Sequence, residues 1–161
     1  MTRETIWLQG EAGVPNNPRL PVLLYRAAFA AGRPEAVEGL FARHGWPPVW
    51  RDGIHPYVHF HTTAHEALGI AAGAVQLRLG GEAGPEFALR GGDVVVLPAG
   101  TGHQCLEASA DLLVVGAYPL GQVPDQRRAS PGQAAEVRAR VARLPDPPGS
   151  PVTGEPYPRR P

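Results

Sequence analysis

The chain has 161 residues, the length of one compact domain and not two. Its 15 acidic residues balance 15 basic ones, so no charge excess points to nucleic acid or to an anionic membrane. All the basic residues are arginines, which excludes lysine Schiff-base and P-loop chemistry, and a single cysteine excludes an intrachain disulfide. Without the apolar N-terminal run of a secretory signal, the sequence predicts a cytoplasmic protein.

The N-terminal third predicts two strands and one helix. Two β-prone stretches, Thr5 to Leu8 and Pro21 to Tyr25, flank a turn-forming cluster of prolines and asparagines. From Pro34 the apolar residues follow a helical period up to Gly45. Proline suits the first helical position and glycine the C-terminal cap, so we expect one short helix here.

Between Gly53 and Tyr118 the apolar pattern changes to a period of two, as in Val75, Leu77 and Leu79. Glycine-rich turns separate the runs, and 20 glycines with 19 prolines make up nearly a quarter of the chain. This pattern predicts an antiparallel sandwich or barrel. The further predicted strands are Phe87 to Leu89, Asp93 to Leu97, His103 to Glu107 and Asp111 to Ala117.

The C-terminal part predicts a helix over about 131–144, followed by a proline- and glycine-rich tail over 145–161. Residues Ser130 to Gln133 have the sequence of a capping box, with the serine as N-cap. We therefore expect a mainly β, single-domain protein over 1–161, with its barrel core at about 50–118 and short helices on either side.

Five of the six histidines lie in the strand-rich region, and two of them predict a chelating pair. His59 and His61 are two residues apart, so on a strand both rings project from one face. Glu66 follows at an odd offset, which requires a turn or bulge within Thr62 to Ala64; a hairpin would return the carboxylate to the same face. His65 would then lie on the opposite face.

His103 follows a glycine-rich turn at the start of another strand, where it could complete the cluster of His59, His61 and Glu66. Three neutral imidazoles and one carboxylate suit one divalent transition metal: Zn, Cu, Fe or Ni, with Mn and Co also compatible. The set leaves coordination positions for water, dioxygen or substrate. The alternative is four solvated or hydrogen-bonded polar residues at a barrel mouth.

The spacing of these residues resembles the cupin family. The first cupin motif is matched by Gly53, His59, His61, Glu66 and Gly73, and the second by Gly92, Pro98, Gly100 and His103. The second motif often ends in asparagine, where this chain has Glu107. Residues 15–25 and 65–69 are similar to the small bacterial YjlB-type cupins. The resemblance implies a jelly-roll barrel, or double-stranded β-helix, that binds a divalent metal through His59, His61, Glu66 and His103, often as a homodimer.

The function that we expect is that of a metalloenzyme acting on a small-molecule substrate, with the metal as Lewis acid and template. Iron or copper would favour dioxygenase-type chemistry, our leading expectation. Manganese, nickel or zinc would favour isomerisation or decarboxylation, and a non-catalytic sensor or storage cupin is the alternative of a different class. Tyr57 and Glu66 are candidate proton handlers.

Three further residues keep open alternatives. Tyr57 and His55 share the parity of His59 and would point into the barrel if the strand extends backwards, although Tyr57 could equally be a hydrogen-bonded inner tyrosine. Cys105 shares the face of His103, where it could be a thiolate near the metal or a small buried apolar residue.

Overall fold

The computed structural model describes residues 1–161 and contains nine β-strands and two α-helices. Helix α1 spans Pro34–Arg43 and helix α2 spans Ala134–Arg143. Neither helix has the length and apolar character needed to cross a membrane. The strands are, in chain order, β1 Thr2–Ile6, β2 Val22–Arg26, β3 Pro48–Asp52, β4 Glu66–Ala72, β5 Ala74–Leu79, β6 Glu86–Arg90, β7 Val94–Leu97, β8 His103–Ala108 and β9 Leu113–Ala117.

The strands form two antiparallel sheets. The larger has the order β1-β2-β7-β4-β9-β3, and the smaller has the order β6-β5-β8. From β4 to β9 the chain passes back and forth between the two sheets, which is the arrangement of a jelly roll. The predicted mainly β jelly-roll fold with two short helices is confirmed, although β1 and β2, which belong to the larger sheet, come before helix α1.

The interior between the sheets follows from the period-two pattern of the sequence. Leu68 and Ile70 of β4 pack inward against Leu77 and Leu79 of β5, and all four are almost fully buried. Ala67 and its neighbours of the same parity face the other side of the large sheet. Because successive side chains of a strand alternate in direction, both faces of the large sheet are covered.

Helix α1 packs on the outer face of the large sheet. Its buried residues Val37 and Phe41 are four apart and so lie on one side of the helix. The helix approaches β4 most closely at Gly69, where a Cβ atom would lie 2.6 Å from a methyl group of Val37. A residue without a side chain is therefore required at this crossing.

The C-terminal segment completes this outer layer. The Tyr157 hydroxyl donates to the Pro21 carbonyl at 2.7 Å, and the hydroxyls of Tyr25 and Ser150 are 2.7 Å apart. Trp46 donates its indole N–H to a carbonyl of the same segment. Tyr157 and Val152 belong to the apolar cluster on this face, so the predicted tail over 145–161 is an ordered part of the fold.

Two predictions on secondary structure need correction, and one strand was missed. The first strand lies at Thr2–Ile6 and not at Thr5 to Leu8, and β3 was not predicted at all. The capping box is wrong: the Ser130 side chain makes no cap bond, and a 3-10 turn over Pro131–Gln133 precedes α2. The reason is that the Gln133 N–H, which the serine side chain would have capped, donates to the Ser130 carbonyl instead.

Candidate metal centre

Three imidazoles meet at one end of the barrel. His59 and His61 lie in the extended segment between β3 and β4, which is not a regular strand, and His103 begins β8. His59 and His103 exchange two backbone hydrogen bonds, of 3.2 and 3.0 Å, and their ring centroids are 4.0 Å apart. One ring nitrogen from each of the three histidines lies within 4.8 Å of the others, so this group could hold a metal ion.

Backbone carbonyls fix the orientation of all three rings. The Nδ1 atom of His59 lies 3.0 Å from the Tyr57 carbonyl, and that of His103 lies 3.0 Å from the Thr101 carbonyl. Nδ1 of His61 bonds the Asp125 carbonyl. A carbonyl only accepts, so each Nδ1 carries the hydrogen and each neutral ring has its lone pair on Nε2. All three lone pairs are thereby available for a metal.

Glu66 brings a carboxylate to the same point. It is the first residue of β4, and its Oε1 lies 3.3 Å from Nε2 of His61 and 3.1 Å from Nε2 of His103. The expected change of parity occurs, since Glu66 and Leu68 both line the interior. The expected hairpin does not form, because the segment before β4 bends and makes its backbone bonds with His103 and Arg127 instead.

These contacts test whether the residues fit a metal. With the ring hydrogens on Nδ1, an Nε2 lone pair and a carboxylate oxygen 3.1–3.3 Å apart repel each other unless a proton or a metal ion lies between them. Two ligands bound about 2.0 to 2.2 Å from one metal are about 3 to 3.6 Å apart at octahedral to tetrahedral angles. The donor types, and the separations of Glu66 from His61 and His103, fit a divalent transition metal.

Burial and the Glu66 carboxylate have opposite effects on the pKa values of the histidines in this cluster. Burial, with the adjacent His103, lowers the pKa of His59 to about 3. Burial also disfavours the imidazolium of His61, but the hydrogen bond to Glu66 outweighs it and raises the pKa of His61. Burial would raise the pKa of Glu66, yet the hydrogen bonds with His103 and His61 hold it well below its usual range. The cluster thus keeps an ionised carboxylate that attracts one cation.

Tyr118 holds the second oxygen of the Glu66 carboxylate, a contact that the sequence did not predict. Its hydroxyl donates to Oε2 at 3.0 Å and accepts from the Trp50 indole N–H at 2.8 Å. Burial, followed by the charge of Glu66, raises the pKa of Tyr118, so the phenol stays protonated as a donor. Oε1 is left facing the imidazoles.

Asp125 holds the ring of His61 in place, a second contact that the sequence did not predict. Its carbonyl receives the Nδ1 hydrogen of His61, and its carboxylate accepts from the backbone N–H of Thr62 at 2.6 Å. Burial acts to raise the pKa of Asp125, but the hydrogen bonds from Thr62 and Arg127 lower it. The loop after β9 therefore fixes one of the three rings.

The four residues form the floor of a cavity of about 340 Å³ that opens to solvent. Trp50, Ile54 and Leu68 provide its apolar wall, and Tyr118 lies beside Glu66. The exposed residues Asp52 and His55 also line it. A metal at this floor would be reachable by a small molecule.

A curated relative identifies the family. Over 152 residues the chain is 32% identical to the uncharacterized protein YjlB of Bacillus subtilis (strain 168). This alignment covers 94% of this chain and 91% of the relative. The chain belongs to the YjlB family. No family model matches it. Among solved structures, this YjlB-family chain is similar to the oxalate decarboxylase of Lactobacillus farciminis in its formate complex, with 14% identity and a TM-score of 0.39. The similarity covers 78% of this chain, which spans about a third (34%) of that structure.

In this YjlB-family chain three other candidate residues, Tyr57, His65 and Cys105, do not line the cavity. Tyr57 does not line the cavity: its ring stacks on His55 at 4.9 Å, and its hydroxyl accepts from Gln126 at 3.3 Å. His65 points to the other side of β4, where it bonds backbone groups. Cys105 packs against the interior cluster outside the cavity, and burial raises the pKa of its thiol. A proton-handling role for Tyr57 stays a prediction.

Proposed function

We propose that this YjlB-family protein is a small-molecule metalloenzyme that holds one divalent transition metal with His59, His61, His103 and Glu66. The observation that supports it most is the convergence of three carbonyl-oriented imidazoles and one carboxylate oxygen at the floor of an open cavity. A structural metal site would be expected to close its shell with protein ligands, whereas this floor faces solvent-accessible space.

The chain's own residues would orient the site. A bound metal would supply Lewis acidity and, for iron or copper, redox capacity. Tyr118 holds the outer oxygen of Glu66 and is itself held by Trp50, which keeps the carboxylate in one orientation. The apolar wall occupies one side of the cavity and excludes water from that side. A substrate that packs against it could place an oxygen atom where water would otherwise bind the metal.

Oxygenase-type chemistry is the reaction class that we propose first. With manganese, nickel or zinc the same residues would serve a non-redox isomerase or decarboxylase, in which Glu66 could also accept or return a proton. The open cavity favours an enzyme over a storage or sensor module, because catalysis needs exchangeable positions. We also propose a homodimer, which the molar mass from light scattering would test.

The deciding experiment is metal identification on untagged protein purified without chelators, followed by dioxygen uptake with small acids, thiols and phenols. We expect close to one equivalent of transition metal and, with iron or copper, substrate-dependent uptake. The His103→Ala variant, which lacks one ligand, is the matched negative control. Less than a small fraction of one equivalent would end the proposal, whereas metal binding without any turnover would favour the binding module.

A further inference from the structure

The cavity above the candidate metal centre contains no cationic side chain apart from histidine. None of its thirteen lining residues is arginine, and the chain has no lysine. Proteins that hold carboxylates or phosphates commonly use arginine forks or helix N-termini. Neither α1 nor α2 contributes a residue to this cavity. An anionic group on a bound molecule would therefore find no anchor besides the metal.

The arginines that are close in sequence to the lining residues are directed elsewhere. Arg51 projects from the opposite side of β3 and makes two hydrogen bonds, of 2.9 and 2.7 Å, to Glu38 of α1. Arg127 bonds Glu136 of α2, and Arg128 covers an aromatic ring outside the cavity, 4.0 Å from its centroid. The cationic groups of this region are thus held away from the cavity.

A carboxylate instead lies at the rim. Asp52 ends β3 on the same side as Trp50, is exposed, and lines the cavity; its Oδ1 accepts from the Gly53 N–H at 2.7 Å. With a metal bound, the charge of Glu66 at the floor would be offset, so Asp52 is the acidic group of the cavity that stays uncompensated. Charges of one sign in a cleft with apolar walls repel a ligand of the same sign.

The remaining wall favours an apolar body of modest size. Trp50, Ile54 and Leu68 are contiguous with the floor, and Gln126 adds one uncharged polar group. The volume of about 340 Å³ corresponds to about eleven water molecules at ~30 Å³ each. Such a space accommodates a single-ring molecule beside the metal.

We infer that the ligand of this cavity is an uncharged hydroxy or keto compound with an apolar, ring-sized body, and that Asp52 rejects analogues whose ring bears an anionic substituent. The inference rests on the proposed metal site and specifies the class of substrate that it would accept. The metal takes the oxygen atoms, the apolar wall takes the ring, and the rim carboxylate sets the charge preference.

Three catechols provide the test, because they share one chelating group and differ in the charge of the ring substituent: catechol, 3,4-dihydroxybenzoate and 3,4-dihydroxybenzylamine. Each is titrated calorimetrically, without oxygen, into protein loaded with zinc, and zinc retention is measured afterwards. We expect catechol and the amine to bind at least tenfold more tightly than the benzoate.

Two charge-matched variants assign the preference to Asp52. Asp52→Asn keeps the acceptor for the Gly53 N–H and should tighten the benzoate severalfold, weaken the amine and leave catechol unchanged, whereas Glu82→Gln, on an exposed loop away from the cavity, should change nothing. Three results would overturn the inference but leave the proposed metal site intact. They are benzoate binding as tight as that of catechol, an equal effect of Asp52→Asn on all three compounds, and no binding of catechol. Failure to bind zinc overturns the proposed function and the inference with it.

Discussion

Replacing His65 with alanine separates the stability of the fold from metal binding. The residue is 1% exposed; its Nδ1 accepts from the Ala99 N–H and its Nε2 donates to the Pro145 carbonyl, both at 2.9 Å. Alanine leaves the buried Ala99 N–H without a partner, which costs about 1 to 3 kcal/mol, whereas the Pro145 carbonyl keeps a 3.4 Å contact with the Gln122 amide. We expect the free energy of unfolding to fall by about 1 to 3 kcal/mol, with metal stoichiometry unchanged.

The same histidine contributes to the pH dependence of stability. Burial lowers its pKa from 6.5 to about 4. As pH falls below 6.5, the unfolded chain takes up a proton that folded His65 does not, so stability is lost between pH 6.5 and about 4. At ~1.4 kcal/mol per pKa unit the loss approaches roughly 3 kcal/mol, and His65→Ala should remove this part of the profile.

His103→Ala should show the opposite pattern. It removes a nitrogen that lies 3.1 Å from the Glu66 carboxylate at the floor of the cavity. Because loss of a group that only orients a ligand typically costs about 10 to 100-fold in metal affinity, loss of the ligand itself should cost more. Stability without metal should change less than in His65→Ala, since only one hydrogen bond, to the Thr101 carbonyl, is removed.

Urea denaturation followed by circular dichroism, and elemental analysis after dialysis, measure the two effects separately. His65→Gln is the milder control, because its amide can restore one of the two hydrogen bonds. Equal loss of metal from His65→Ala and His103→Ala would show that the assignment of His65 to the opposite face is wrong. Unchanged stability of His65→Ala would refute the hydrogen-bond reasoning.

Two further changes test the neighbours of the centre. Tyr118→Phe removes the donor to Glu66 Oε2, so the zinc affinity measured by calorimetry should fall about 10 to 100-fold. The urea midpoint should fall as well, because the Trp50 indole N–H loses its acceptor; an unaltered affinity would contradict the orienting role. In Gly116→Ala the new Cβ would lie 2.0 Å from Cε2 of Trp50, so the indole must shift. We expect a loss of about 1 to 3 kcal/mol in stability and stronger acrylamide quenching of tryptophan fluorescence, and unchanged quenching would contradict the close approach.

The metal cluster could be predicted from sequence because its evidence is local. The two-residue spacing of His59 and His61 sets their common side even though the segment is not a regular strand. The odd offset of Glu66 requires a change of parity, and the bend before β4 provides it. Strands such as β5 were predictable because alternate burial demands alternate apolar residues.

The support of the cluster could not be predicted, because it depends on contacts distant in sequence. Tyr118 meets Glu66 across 52 residues, and Asp125 meets His61 across 64. No periodicity marks such pairs, and Tyr118 lies one residue beyond the last strand. The inward direction expected of Tyr57 depended on a strand that ends at Asp52, before it could fix that parity.

The ordered C-terminal segment bears on how the protein is made. Tyr157 and Val152 cover the same face of the large sheet as Phe41 of α1, so a segment synthesised after all the strands is needed to shield apolar surface formed earlier. A nascent chain, or one released early by premature termination, would expose this face to chaperones and proteases. Cellular quality control would thereby distinguish chains that contain this segment from chains that stop before it, even though the histidines and Glu66 lie well upstream.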